Sequence, residues 1–370
     1  MDIRIFFFAF ITFTILAFSA CKDDEINTTQ AIDDFDRTSM LTHWADDIII
    51  PGFEDYATSL VALQATTDAF NTNPSEQTLN ALRADWLESY KMWQMVAMFD
   101  IGKAETIGLR NFTNIYPTDV QMILLNIETG DYKLELPSNF DTQGFPALDY
   151  LLYGLNDDDT QIVATLSEAN YAQYLSDIVT RLNDLTNEVL NDWTSGYRDT
   201  FISNSASSAT GSVDKLVNDF IFYYEKFLRA GKIGIPAGVF SGMPLATHVE
   251  APYSGEFSKE LFNEALDAVQ GFFNGRNFRN TQKHHGLSDY LDYLETFKDN
   301  NGLAQDIDNQ MNTVRNTAND LLPDLKQQAE TDHYKILETY DELQKTVIML
   351  KVDMVQTFSI VIDYVDADGD

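Results

Sequence analysis

Apolar residues recur three or four positions apart along most of the chain, and this spacing constrains the fold more than any other feature. Leu79, Leu82, Trp86, Tyr90, Trp93 and Ala97 form one such series. Tyr171, Leu175, Ile178, Leu182, Leu185, Val189 and Trp193 form a second, and Val213, Leu216, Phe220, Tyr223, Phe227 and Gly231 a third. The longest runs Leu337, Tyr340, Leu343, Val347, Leu350, Met354, Phe358 and Val361. Residues so spaced stack on one face of a helix, so each segment buries a single stripe against its neighbours. Alternating Val, Ile and Thr between turn residues, the mark of strands, occurs nowhere at length. The spacing therefore predicts an all-α chain with enough amphipathic helices in each half for a four-helix bundle.

Punctuation sets the boundaries. Asn73-Pro74-Ser75-Glu76 reads as a helix start. Pro51-Gly52 interrupts an early helix beginning near Asp36, and the missing proline donor predicts a kink or break there. Irregular stretches are expected near 101–116, 129–145, 196–209, 235–257 and 274–286. Ser203 to Ser212 is rich in Ser, Ala, Thr and Gly and reads as a linker between halves at 35–203 and 204–370. Ala45 to Phe53 and Ala318 to Leu325 share an apolar-then-proline pattern, too short to establish a repeat.

The N-terminus reads as an export segment over 1–20. Arg4 precedes an apolar run, Ile5 to Phe18, that is short for a membrane span. Ser19-Ala20-Cys21 resembles a bacterial lipoprotein junction, with Cys21, the sole cysteine, as the lipidated residue. Lys22-Asp-Asp-Glu25 resembles the acidic export signal of surface lipoproteins, and 21–34 reads as a tether. The expectation is a lipid-anchored outer-membrane protein, facing the exterior, with the lipid as its only membrane contact. One cysteine allows no intramolecular disulfide. A formal charge of −34 argues against nucleic-acid partners, whose phosphates need Lys and Arg. Its plain consequence is a well-solvated surface.

Gly144-Phe-Pro-Ala-Leu-Asp-Tyr150, followed by Leu-Leu-Tyr-Gly154, resembles the GxHxxE signature of the imelysin-like proteins. Pro146 stands where that family has histidine and Asp149 where it has glutamate. Arg83 to Trp93 with Phe99 to Gly102, Gly231 to Gly238, Val249 to Ser254 and Leu343 to Lys351 are similar to further family segments in the same order. The resemblance covers about residues 35–370. It implies two related four-helix-bundle domains packed together, with the signature at their interface.

Each candidate residue has a plain structural explanation beside its functional one. Pro146 suits a first helical position and Asp149 a first turn, where a carboxylate complements the helix dipole. Trp86, Tyr90 and Trp93 are core-like in spacing, with Trp93 the candidate floor of a pocket. Arg110, near an apolar helix end, wants a carboxylate or an anionic ligand. Lys232 lies in a Gly-rich segment that lacks the features of a phosphate loop. Glu250 matches a family glutamate and alternates with His248. None of His43, His248, His284, His285 and His333 forms a zinc-protease pair, and no serine-nucleophile elbow appears. The acidic tail from Asp363 echoes a calcium loop but stops short of its ligands.

The resemblance places Trp93, Arg110, Asp149, Tyr150, Lys232, Glu250, Tyr253 and Ser254 at one interdomain site. Asp149 and Glu250 are its candidate metal ligands, for iron or another divalent or trivalent ion. The implied function is binding iron, or an iron-bearing or other small ligand, for uptake, with outer-membrane uptake proteins as partners. Metallopeptidase activity is the alternative that the family name suggests. A polysaccharide- or peptide-binding surface module is another. Loss of the motif histidine leaves no ligand pair beside a catalytic water, which argues against the peptidase.

Overall fold

The computed structural model describes residues 34–297 and 302–364. The 1–20 leader, Cys21, the acidic segment after it and the tail beyond Tyr364 lie outside them. No helix among the described residues is long and apolar enough to cross a membrane. The chain is all-α; a lone bridge between Arg276 and Lys283 is the extended pairing seen among the described residues. The described residues from Phe35 onward form one compact unit.

Nine helices carry the argument: α1 Arg37–His43, α2 Ile50–Thr72, α3 Glu76–Val96, α4 Gly144–Asp149, α5 Ala169–Asp192, α6 Ser212–Phe222, α7 Ser258–Phe273, α8 Leu303–Asn319 and α9 His333–Ile348. In the first half, α2 packs between α3 and α5. In the second, α9 packs against α8 and against a wide π-helical segment, Tyr223–Gly234, that continues α6. Helix α3 also packs on α7, which ties the two groups together. The Ser/Gly-rich stretch is the loop between Arg198–Ser203 and α6.

The expected start of α3 is present. Ser75 caps it by accepting the Thr78 N–H, and the Thr78 hydroxyl accepts the Ser75 N–H in return. The stripe on α3 is core: Leu79, Leu82, Trp86, Tyr90 and Trp93 are buried.

Pro51 does not break its helix. A π-helical turn, Trp44–Ile49, joins α1 to α2, and Pro51 sits in the first turn of α2, where the chain continues as helix despite the missing donor. The carbonyl four residues before it, on Asp47, accepts the Phe278 N–H at 2.9 Å instead. The stretch 101–116, expected to be irregular, contains two short helices, Lys103–Ile107 and Leu109–Thr113, that meet at Gly108.

Candidate functional site

The signature segment forms α4 and a π-helical turn, Tyr150–Gly154. Gly144 begins it with φ +73°, and a Cβ there would meet the Thr113 carbonyl oxygen at 2.1 Å. Only glycine allows that approach. Because the helix starts at Gly144, Asp149 falls at its end rather than in the expected first turn.

Asp149 is fully buried. Its Oδ2 accepts the Tyr253 N–H and its Oδ1 the Ser254 N–H, each at 2.9 Å. Burial pushes the carboxyl up to about 7, against the pull of those two backbone donors. Tyr150 and Tyr253 meet edge to face, with ring centroids 5.2 Å apart. Asp149, Tyr150, Tyr253 and Ser254 thus form one joint, in which the side chain of α4 fastens a loop about a hundred residues later.

Glu250 belongs to a second buried cluster. Its Oε1 accepts from Gln94 Nε2 at 3.0 Å and Asn114 Nδ2 at 2.7 Å, and its Oε2 pairs with the Lys232 ammonium. Lys232 also donates to Gln94 Oε1 at 2.8 Å. Burial pushes the Lys232 ammonium down, and Glu250 beside it pulls it back. The Tyr90 hydroxyl donates to Asn114 Oδ1 at 2.6 Å and stacks its ring on Phe145 of the signature at 4.5 Å. The clusters are therefore neighbours, but their carboxylates engage different partners. His248 is half-buried, and Glu250 is held instead by Gln94, Asn114 and Lys232.

Arg110 is buried between two openings. On one side a cavity of about 10 Å³, lined by Trp93, Asn114, Tyr116, Tyr223 and Lys232, has room for about one water. On the other lies a cleft of about 680 Å³. The Arg110 Nε donates to Ala97 O at 3.0 Å and its Nη2 to both Asp219 oxygens at 3.1 and 3.3 Å. Its Nη1 lies 3.6 Å from Asp100 Oδ2. The Asp219 Oδ2 also accepts the Asp100 N–H at 2.6 Å. Burial pushes Asp219 up to about 6, with Arg110 lowering and Asp100 raising it, and burial raises Asp100 too.

The structure thus divides the eight predicted residues into a fastening joint, a buried ion-pair network containing Glu250 and Lys232, and the Arg110 cluster beside Trp93. The cleft's other wall residues were missed. Asp219 left one signal: it is an acid on the buried stripe of Leu216 and Tyr223.

A resident metal ion does not fit this donor set. Pro146 offers no ligand, both Asp149 oxygens hold backbone N–H groups, and Glu250 is taken by Lys232, Gln94 and Asn114. Among the described residues no group of three His, Cys, Asp or Glu side chains could hold one.

An all-helical chain with a Gly-initiated signature helix fastened to a distant loop defines its class. The imelysin family model matches residues 49–347, and the chain belongs to that family. Two solved structures share the fold. An imelysin-like protein from Psychrobacter arcticus is 19% identical with a TM-score of 0.67, over 89% of this chain and 97% of its own. A protein described as an iron-regulated protein A precursor from Parabacteroides distasonis is 18% identical with a TM-score of 0.69, over 87% and 95%. No curated protein matches the chain.

Proposed function

We propose that this protein is a lipid-anchored, outer-membrane member of the imelysin family that holds an iron-bearing ligand for uptake and does not cleave peptides. One observation carries the reading: the signature carboxylate, Asp149, is committed to the N–H groups of Tyr253 and Ser254. With both oxygens so engaged and the side chain fully buried, Asp149 presents no exposed oxygen to a water or a metal. Iron then enters as cargo inside an organic chelate, and the cleft ending on Arg110 has the volume for one. The iron-regulated structural neighbour supports the link to iron.

The peptidase reading would require a water-activating base beside a bound metal, and Pro146 stands where the family's histidine would be. The test is calorimetric titration of the purified protein with ferric citrate, ferrioxamine B and haem, alongside a peptidase assay on unfolded protein. One-to-one binding of at least one chelate, with no cleavage above buffer, is the expected result. Binding of none of the three would overturn the iron assignment, and chelator-sensitive cleavage would restore the peptidase.

A further inference from the structure

The cleft of about 680 Å³ has a composition that selects the charge of its occupant. Three aromatic side chains from separate parts of the chain, Tyr197, Phe222 and Tyr364, wall it. The Phe222 and Tyr364 rings pack at 5.0 Å, and the Tyr364 hydroxyl is held by Glu225 at 2.9 Å. At its floor Asp100 and Asp219 share the single guanidinium of Arg110, so the cluster keeps a net negative charge while both are ionised. The rim adds Glu105, Asp192 and Asp363 against Lys103 and Lys215. Lys103 is further offset by Glu188 at 3.4 Å.

Negative charge held among aromatic side chains favours a positively charged organic group. Ring faces attract a cation through their quadrupoles, and carboxylates accept its N–H bonds. A bare metal ion is a poorer match, since no three carboxylates come close enough to hold one among the described residues. The volume suits a small molecule rather than a folded partner.

We propose that this cleft binds a small organic cation: a protonated amine or guanidine attached to an apolar or aromatic body. This goes beyond the iron reading and holds for a cargo with or without metal.

Calorimetry with tyramine, spermidine and the neutral N-acetyltyramine tests it. At least one amine should bind one-to-one, and tyramine should bind about tenfold or more tighter than its acetylated form. Replacing the rim carboxylates together (Glu105→Gln, Asp192→Asn, Asp363→Asn) should weaken amine binding several-fold. All three are at least partly exposed, so the folded far-ultraviolet spectrum should be unchanged. The proposal is overturned if neither amine binds at millimolar concentration, if N-acetyltyramine binds as tightly as tyramine, or if the folded rim variant binds amines as the parent does. These amines carry no iron, so their result is read separately from the chelate titration.

Discussion

The Asp149 Oδ2 accepts the Tyr253 backbone N–H at 2.9 Å, across 104 residues of sequence. With the matching bond to Ser254, this makes the signature of the first half the fastener of a loop in the second. Asp149→Ala leaves two backbone donors without an acceptor, at a cost of about 1–3 kcal/mol each. Urea unfolding should show a loss of that order. A loss below about 0.5 kcal/mol would contradict the fastening role.

The same carboxyl gives a pH signature. Its folded value, about 7, lies above the ordinary 3.8. The folded state therefore keeps the proton longer, and the resulting stability is fully present below about pH 4 and lost as pH rises through 7. Asp149→Asn cannot titrate. From pH 4 to 8 the parent should lose stability relative to this variant, and parallel melting curves would refute the assignment.

The Lys232–Glu250 pair is buried on both sides, at 3% and 2% exposure. Removing one partner strands the other charge, which typically costs about 3–5 kcal/mol. Lys232→Met and Glu250→Gln should each destabilise strongly. The double variant should lose less than their sum, with a coupling of about 1–3 kcal/mol in a double-mutant cycle. Additive losses would mean that the pair is not formed.

Gly144→Ala should be among the most damaging single changes. A methyl group there meets the Thr113 carbonyl oxygen at 2.1 Å while φ is +73°. A loss of about 3 kcal/mol or more is expected by thermal melting. A neutral result would show that α4 can start elsewhere.

The helices and aromatic core were legible because a buried stripe leaves its period in the sequence: Leu79, Leu82, Trp86, Tyr90 and Trp93 are all core. The π-helical turns were not, because a proline such as Pro51 signals a lost hydrogen bond but not where the freed carbonyl goes. It goes to Phe278, a partner that no local pattern names. Arg110 was legible as a guanidinium in need of a carboxylate, whereas its partner Asp219 lies on a different helix. The cleft walls, Tyr197, Phe222 and Tyr364, lie far apart in sequence, and tertiary packing brings them together. Asp149 was placed one turn too early because the positive φ of Gly144, which starts the helix, is a property of its contact with Thr113.

The central claim is that the signature fastens the fold and is not a metal or catalytic centre. Its most direct test is titration of the purified, metal-stripped protein with free ferrous and zinc ions, on the parent and on Asp149→Asn. The account predicts no stoichiometric uptake of either ion by either protein. One-to-one uptake by the parent that is lost in Asp149→Asn would contradict it.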